Sequence, residues 1–418
     1  MRTSKDAPPE LDAQAGSGME APLPPQIPIR IAIMRGGTSR GIFLLENDLP
    51  RDHSLWGPFL IALLGGGDVR QIDGLGGADP LTSKVCIIGP PRHEDSDITY
   101  TFAQVGVGQS EVSWEINCGN LTAAVGAFAV EQSLVSAIVP TTSVSIYQSN
   151  TRRRLTALVP VGPHGVEIEG ETVIDGVPGT GAAIDIDFSD TTGATLDRGL
   201  LPTGARIDKI EIAGFGAIPC TIVDLANMCV FFKATDVGLT GIEAPAQTDQ
   251  IRDVFRAVQV QAQQVLGIDH SRTTPWPIMV GPAQDYQTLN GDQVPATAID
   301  LTVRLVARNT MHKASPGTGA CCAAVAAALH GTVVHEITST PTPERSGVVR
   351  LGHPSGVMPV AAAVADHPDP TVTRAVFRRT ARTILHGTAY LRRSRVEQLL
   401  RDIPLSAPTR ALVPRLER

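Results

Sequence analysis

The chain has 418 residues, of which 42% are hydrophobic and 18% charged, so it can build a packed core and is long enough for two domains. Its 42 acidic residues outnumber its 35 Lys and Arg residues, and aromatic residues are only 4%, which excludes a general nucleic-acid binder. No apolar run reaches the roughly 18 residues of a membrane span, and the cysteines lack zinc-site spacing. We therefore expect a cytoplasmic protein with no metal, no nucleic-acid partner and no membrane contact.

The first 28 residues are rich in proline, glycine and mixed charges, which predicts a disordered N-terminal tail over 1–28. Short apolar runs separated by glycine clusters follow and predict strands. One helix is predicted over 119–132, and it is apolar nearly all round, so we expect it to be buried. The strands predicted in this half are 29–34, 84–88, 98–105, 143–148, 155–161, 166–168 and 183–188.

The second half repeats this plan, with an alanine-rich helix over 319–329. The glycine-containing turns 117–120 and 315–319 open the two helices, which indicates an internal duplication of structure. We expect an α+β fold of two similar domains, 29–200 and 201–395, each wrapping strands around a central helix, and a tail over 396–418. The strands predicted here are 207–212, 218–224, 230–233, 278–280, 299–306 and 348–351.

The two glycine turns have a chemical as well as a structural interpretation. A buried helix that begins in such a turn presents unpaired N–H groups and the positive end of its dipole, both of which attract carboxylates. Two such turns favour a pocket for a small di- or tricarboxylate. The alternative, that the glycines only permit tight turns, stays open at this point.

Lys84 and Cys118 are the side chains best suited to moving a proton. Lys84 enters an apolar strand, where burial lowers an amine pKa enough to make a general base; a lysine on an edge strand that reaches solvent is the alternative. Cys118 stands at a predicted helix start, where a thiol pKa tends to fall; a small buried hydrophobic residue is the alternative.

Other candidate segments are less informative. The segment 35–41 ends the first strand with hydroxyls and cations, which suits either anion binding or a simple turn. His312 and His353 lie near glycine turns, and a structural role is favoured over a catalytic one for each. Motifs of nucleotide-binding proteins, zinc proteases and serine hydrolases are absent from the sequence.

Five motifs occur in order between about residue 29 and residue 392. They are Arg35-Gly-Gly-Thr-Ser39, Gly76-Gly-Ala-Asp-Pro-Leu-Thr-Ser-Lys84, Asn117-Cys-Gly-Asn120, Asp175-Gly-Val-Pro-Gly-Thr-Gly181, and Met311-His-Lys-Ala314 with Gly317-Thr-Gly-Ala320. Together they resemble the 2-methylaconitate cis-trans isomerase family. That resemblance implies the diaminopimelate epimerase fold, in which two similar domains, each a β-barrel-like sheet around a central helix, enclose an active site in their cleft.

The resemblance also implies an activity: isomerisation of an unsaturated tricarboxylic acid by removal and return of an allylic proton, without a cofactor. Aconitate Δ-isomerase and 4-oxalomesaconate tautomerase are alternatives of the same chemistry, and a non-catalytic tricarboxylate-binding accessory protein is another. A dehydratase of the same pathway and a second copy of the chain are the expected partners. The implied catalytic residues are Lys84 and Cys118, and the implied substrate-binding residues are Arg35, Thr38, Ser39, Ser83, Gly119, Asn120, Met311, His312, Gly317, Thr318 and Gly319.

The sequence departs from the family and its superfamily at a few positions. The epimerases place one cysteine at each helix turn, whereas here Cys118 matches the first and Pro316 stands in place of the second. A racemase that uses two thiols is thereby disfavoured. Arg40 stands where lysine is common, and Met228 where proline is usual.

Overall fold

The structure is a computed structural model, and it describes residues 23–115, 117–307, 310–338, 347–366 and 369–402. Residues 1–22 of the predicted tail 1–28 and residues 403–418 of the predicted tail 396–418 lie outside these residues. The tail boundaries need correction, because the first strand begins at Gln26 and a final helix spans Arg393–Asp402. That helix buries Val396, Leu399 and Leu400, which gives it the apolar contact that a disordered tail lacks.

Strands dominate the described chain. The first-half strands are β1 Gln26–Gly36, β2 Ser39–Leu45, β3 Lys84–Gly89, β4 Ile98–Val105, β5 Val112–Ser113, β6 Thr141–Gln148, β7 Arg153–Gly162, β8 Gly165–Val166, β9 Thr172–Val173, β10 Thr180–Gly181 and β11 Ile184–Asp187. The second-half strands are β12 Asp208–Ile212, β13 Gly216–Leu225, β14 Asn227–Lys233, β15 Trp276–Pro282, β16 Tyr286–Gln287, β17 Gln293–Val294, β18 Leu301–Ala307, β19 Thr310–Met311, β20 Val348–His353, β21 Gly356–Ala365, β22 Thr371–Arg379 and β23 Ala381–Arg392.

The helices are fewer, and two of them form the centres of the halves. They are α1 Trp56–Leu64, α2 Gly119–Glu131, α3 Thr248–Leu266, α4 Gly317–Ala328, α5 Val333–Ile337 and α6 Arg393–Asp402. Both predicted helices are therefore confirmed, as α2 and α4. Each predicted strand also has an observed counterpart, although only Val166 of the predicted 166–168 is in one.

Each central helix is enclosed by strands. Helix α2 packs against β1, β7, β11 and β23, and α4 packs against β13, β14, β20, β21 and β22. Both helices are buried along nearly their whole length, and their alanine and glycine side chains allow strands to approach closely on every side. The two halves share one continuous sheet in the described residues, because β11 pairs with β7 on one side and with β22 on the other.

The end of the chain returns to the first half. Strand β23 runs antiparallel along β1, from Gln26 opposite Arg392 to Gly36 opposite Ala381, and α6 packs against α1. Strand β23 was predicted as part of the second domain, whereas it pairs with β1 of the first. The division of the chain at residues 200 and 201 stays a prediction.

Helix α3 was not predicted, although its apolar residues have helical spacing. Ile251, Phe255, Val258, Ala262 and Leu266 recur at helical spacing and are buried along one face. The helix stops where Gly267 adopts the left-handed conformation. Its buried face rests on the second-half sheet, and its other side lies along the cavity described below. Among the described residues, no helix combines the length and hydropathy that crossing a membrane requires.

Candidate active site

A cavity of about 710 Å³ lies between the two halves, where the N-termini of α2 and α4 meet. It brings together eight of the residues that the family resemblance implies for the site, four from each half. These are Lys84, Cys118, Gly119 and Asn120 from the first half and Met311, His312, Gly317 and Thr318 from the second. The cavity is of the size typical for small-molecule sites.

Lys84 reaches the cavity from the interior of the sheet. It pairs with Gly41 of β2 on one side and with Gln104 of β4 on the other, so the edge-strand alternative is wrong. The side chain is 9% exposed, and no carboxylate in the described part of the chain forms an ion pair with it. Its Nζ lies 3.5 Å from the Sγ of Cys118 and 5.4 Å from the centre of the Phe102 ring.

Cys118 is the N-cap residue of α2, as predicted. It is 7% exposed, and its carbonyl accepts hydrogen bonds from the backbone N–H and the hydroxyl of Thr122, which fixes the first turn of the helix. The thiol lines the cavity and lies within hydrogen-bonding distance of Lys84. A proton can therefore pass between the two side chains.

Pro316 is the N-cap residue of α4 and thus occupies the position that corresponds to Cys118. Proline offers no thiol there, which agrees with the sequence-based argument against two-thiol chemistry. No side chain caps the N-terminus of either α2 or α4. The first N–H groups of both helices are therefore available to a ligand, together with the positive ends of both helix dipoles.

The glycines at the two helix starts are closely packed, and a side chain is excluded at Gly317. A Cβ on Gly317 would lie 2.4 Å from the Phe377 ring, and one on Gly119 would lie 3.1 Å from both that ring and the backbone nitrogen of Thr318. Neither glycine has a positive φ, so conformational freedom in a tight turn is not what either position needs. Phe377 thus sets how closely the helix starts approach each other.

Asn227 connects the two helix starts, and the sequence analysis did not identify it. This side chain is 1% exposed. Its Oδ1 accepts from the backbone N–H of Asn117 at 3.2 Å, and its Nδ2 donates to the Asn117 carbonyl at 3.1 Å and to the Thr318 hydroxyl at 2.8 Å. One amide group therefore connects the segment before α2 to the first turn of α4.

Asn120 lines the cavity, but its amide is bonded within the protein. Its Nδ2 donates to the Thr38 hydroxyl at 3.1 Å, and its Oδ1 accepts from the Arg379 guanidinium at 2.8 Å. Arg379 is buried, and burial lowers its pKa to about 10, so it is still charged at neutral pH. These bonds to Thr38 and Arg379 fix the orientation of the first turn of α2.

Arg35 is one of five implied substrate-binding residues that do not line the cavity. Its guanidinium donates to the carbonyls of Thr380 at 2.9 Å and Gly37 at 3.2 Å, which closes the turn between β1 and β2 onto β23. The segment 35–41 is thus the tip of the hairpin formed by β1 and β2, and Arg35 stabilises its turn. The five residues are Arg35, Thr38, Ser39, Ser83 and Gly319.

Ser83 has a similar supporting role. Its hydroxyl donates to the Gln71 side chain at 2.7 Å and to the Asp79 carbonyl at 2.9 Å, so it holds the loop that precedes Lys84. Ser39 is 2% exposed, and its hydroxyl has no hydrogen-bond partner in the described chain. Gly319 faces a separate small void beside α4.

His312 offers the cavity a neutral donor. Burial lowers its pKa to about 4, with a further contribution from the charge of Lys84, so the ring is neutral at neutral pH. Its Nδ1 accepts the backbone N–H of Ala314 at 3.1 Å. The ring proton therefore resides on Nε2, which can donate one hydrogen bond.

The cavity is electropositive, mainly because of side chains that the sequence analysis did not identify. Of the described residues that line it, Asp79 alone is acidic, and its carboxylate lies 3.7 Å from the Nζ of Lys313. An excess of cations suits a ligand with several carboxylates. In the described ranges, no cluster of three or more His, Cys, Asp or Glu side chains is arranged to hold a metal. The additional cations are Arg252, Arg256, Arg272 and Lys313.

Comparison with known proteins extends over most of the chain. The family model described as PrpF protein matches residues 26–392. A 3-methylitaconate isomerase of Eubacterium barkeri is 39% identical over 383 residues, covering 89% of this chain and 99% of that protein. A 2-methyl-aconitate isomerase of Shewanella oneidensis is 34% identical, covering 87% and 97%. A 4-oxalomesaconate tautomerase of Pseudomonas putida is 34% identical, covering 88% and 97%.

Solved structures agree with this result. The crystal structure of a methylitaconate-delta-isomerase is similar with a TM-score of 0.76 at 39% identity, covering 92% of this chain and 99% of that one. A hydroxyproline epimerase of Agrobacterium vitis has a TM-score of 0.54 at 10% identity, covering 87% and 93%. At that identity the likeness concerns the fold alone, and the expected epimerase-like fold of two similar halves is confirmed.

Replacing Asn227 by Ala tests the connection between the helix starts. The change leaves the N–H and carbonyl of Asn117 and the Thr318 hydroxyl without their partner, and each such buried group costs about 1–3 kcal/mol. We expect the free energy of unfolding in urea to fall by at least about 2 kcal/mol. Thr318→Val removes one of the three bonds and should have a smaller effect. An Asn227→Ala variant that unfolds at the wild-type urea concentration would contradict this role.

His353 should make the protein sensitive to acid. Burial, with the charges of Arg379 and Arg304, lowers its pKa from 6.5 to about 3. Below pH 6.5 the unfolded chain binds a proton that the folded chain excludes, so the stability present above pH 6.5 is lost as the pH falls towards 3. His353→Asn keeps an acceptor for the Ser355 N–H and should reduce the fall in Tm between pH 7 and pH 4.5. The same substitution at exposed His386 should leave that fall unchanged.

Proposed function

The chain belongs to the PrpF family, and on this premise we propose that it is a cofactor-independent isomerase of unsaturated tricarboxylic acids, of the 2-methylaconitate cis-trans type. The observation that carries the proposal is the contact of 3.5 Å between Lys84 Nζ and Cys118 Sγ beside two helix N-termini. Isomerisation of an allylic carboxylic acid requires groups that move a proton and N–H donors that stabilise the negative charge. The site offers one proton-transfer pair and two sets of free N–H groups.

The first step removes a proton from the carbon next to the double bond. Either the Lys84 amine or the Cys118 thiolate takes that proton, and which of the two does so is left open. The C–H bonding electrons move into the conjugated system and give a dienolate whose negative charge reaches a carboxylate. Because the two groups are in contact, the proton can pass from one to the other before it returns.

The dienolate needs donors that are already in place when its charge develops. The N–H groups at the starts of α2 and α4 supply them, and His312 adds its Nε2 proton. Losing one preorganised donor of this kind typically costs about 3 kcal/mol of transition-state stabilisation. The burial of the reacting pair strengthens each of these interactions, because water that would screen them is kept away.

Return of the proton completes the reaction. Rotation about the transient single bond gives the cis-trans isomer, whereas protonation at the other end of the allylic system moves the double bond. Aconitate Δ-isomerisation and 4-oxalomesaconate tautomerisation share the first step and are the alternatives of the same class. Incubating the purified protein with a panel of unsaturated tricarboxylates and following conversion by proton NMR identifies the substrate.

The remaining expectations from the sequence stay predictions: the cytoplasmic location, a dehydratase partner of the same pathway, and a homodimer. A non-catalytic accessory protein that binds a tricarboxylate is the alternative of another class. The retained contact between Lys84 and Cys118 favours catalysis over that alternative, because binding alone does not need a buried amine beside a thiol.

Lys84→Met should nearly abolish turnover. Methionine fills a similar volume without an ionisable group, so folding should be preserved while the proton carrier is lost. We expect kcat to fall by about 10²- to 10⁴-fold, the usual contribution of a positioned acid or base. Lys209→Met, at an exposed position of β12, is the matched control and should behave as wild type. Near-normal turnover by Lys84→Met would remove Lys84 from the mechanism.

Cys118→Ser should reduce kcat with little change in KM. Serine keeps a hydrogen-bonding group of similar shape at the helix start, but its hydroxyl has a much higher pKa than a thiol and is a poorer proton carrier. We expect a decrease of about tenfold or more in steady-state assays. Kinetics identical to those of the wild type would assign Cys118 to binding or packing.

Turnover in D₂O tests the intermediate itself. If a dienolate forms and an exchangeable thiol or ammonium returns the proton, deuterium should appear at the allylic carbon. Rapid return of the same proton makes incorporation partial in a single turnover, but after many turnovers both substrate and product should be enriched. Mass spectrometry and NMR measure this enrichment. Conversion without deuterium in either pool would indicate addition and elimination instead, and would refute the proton-shuttle role.

A further inference from the structure

We propose that Arg252, Arg256 and Arg272, here called the arginine wall, bind a carboxylate of the substrate remote from the reacting carbon and make the site selective for tricarboxylates over dicarboxylates. This inference rests on the proposed function for the identity of the reaction. It concerns the same cavity, in which the arginine wall and the Lys84–Cys118 pair both form part of the lining.

Helix α3 presents two of the three arginines. Arg252 and Arg256 are four residues apart, so they share one face of the helix, and both line the cavity. On the buried side, Phe255 is 1% exposed and packs edge to face against Phe232, with ring centres 5.2 Å apart. This contact holds α3 against the sheet and so fixes the helix backbone that carries the two arginines.

Arg272 follows α3, and the helix holds its backbone in place. The buried Gln263 amide donates to the carbonyls of Arg272 at 2.9 Å and Thr274 at 3.0 Å. One turn earlier, Gln259 donates to the carbonyls of Thr273 at 2.8 Å and Pro275 at 3.1 Å. Four hydrogen bonds therefore attach this segment to α3 and keep Arg272 at the cavity.

The charges of the arginine wall are only partly compensated, by Asp249 beside Arg252 and by Asp269 near Arg272. Arg252 pairs with Asp249 of its own helix at 3.0 Å, at an exposed position. Arg256 and Arg272 form no ion pair with any acidic side chain in the part of the chain that the structure describes. A planar guanidinium can bind a carboxylate through two parallel hydrogen bonds, which gives directional recognition that a point charge lacks.

The proton-transfer pair and the arginine wall come from different elements around the cavity. The proton-transfer pair belongs to β3 and the start of α2, whereas the arginine wall belongs to α3 and the segment after it. A carboxylate next to the reacting carbon can use the helix N–H groups. A further carboxylate is needed to contact the arginine wall as well, so an additional carboxylate should increase affinity through these arginines.

Calorimetric titration with two unreactive acids tests the inference independently of turnover. Tricarballylate carries three carboxylates, and succinate is the shorter acid with two. The wild type should bind tricarballylate at least tenfold more tightly than succinate, and Arg256→Ala and Arg272→Ala should each reduce that ratio severalfold or more. Arg256→Lys should restore only part of it, because the charge returns without the planar fork. Arg374→Ala, at an exposed position of β22 outside the cavity, is the matched control.

The outcomes separate this inference from the proposed function. A wild type without preference for tricarballylate, or variants that keep the wild-type ratio, would overturn the role of the arginine wall even if the NMR panel shows isomerisation. The variants could instead lose the wild-type ratio of tricarballylate to succinate affinity while no acid of the NMR panel is isomerised. That result would support the arginine wall and refute the proposed activity. Circular dichroism of each variant ensures that a lost ratio reflects binding and not unfolding.

Discussion

The structure depends on the approach of two buried helix N-termini to the same place. Helices α2 and α4 both begin against the ring of Phe377, which leaves no room for a Cβ at Gly317 and only a tight fit for one at Gly119. Bringing two positive dipole ends together is electrostatically unfavourable unless a negative group lies between or beside them. Asn227 holds the ends in position through three hydrogen bonds, and a carboxylate is the ligand that this arrangement favours.

Although the two halves are similar, only the first half supplies a proton-carrying side chain at its central helix start. Cys118 and Pro316 occupy corresponding N-cap positions, but only the first offers a group that can carry a proton. The second proton carrier of the proposed mechanism comes from the sheet, where Lys84 lies between β2 and β4 with its amine 3.5 Å from the thiol. A fold with two similar halves thus provides an amine and a thiol on one side and uncapped helix N–H groups on both.

The surroundings of the pair explain why so many residues of the recognisable motifs do not touch the cavity. Arg35 and Ser83 use their polar groups to stabilise neighbouring turns. Asn120 does line the cavity, but its amide is also bonded within the protein, where it orients the helix start. Rigid support of this kind is a requirement of the chemistry, because donors preorganised for a developing charge lose their value if they move. The motifs therefore encode the frame of the site as well as its reacting groups.

The sequence by itself determined the local features. Helix α2 was predicted to within a residue, because its apolar surface and its glycine turn are signals contained in one segment. Lys84 and Cys118 stood out for the same reason, as a lysine in an apolar strand and a thiol at a helix start.

What only the tertiary structure decided are relations between distant segments. The pairing of β23 with β1, the Asn227 bonds to both helix starts, and the placement of Arg256 and Arg272 at the same cavity as Lys84 leave no periodic trace in the sequence. Helix α3 is different, because its helical spacing is visible in the sequence, whereas the position of its arginines at the cavity is not. Local patterns report which face of an element is apolar, whereas the partner of a polar face is fixed only when the chain has packed.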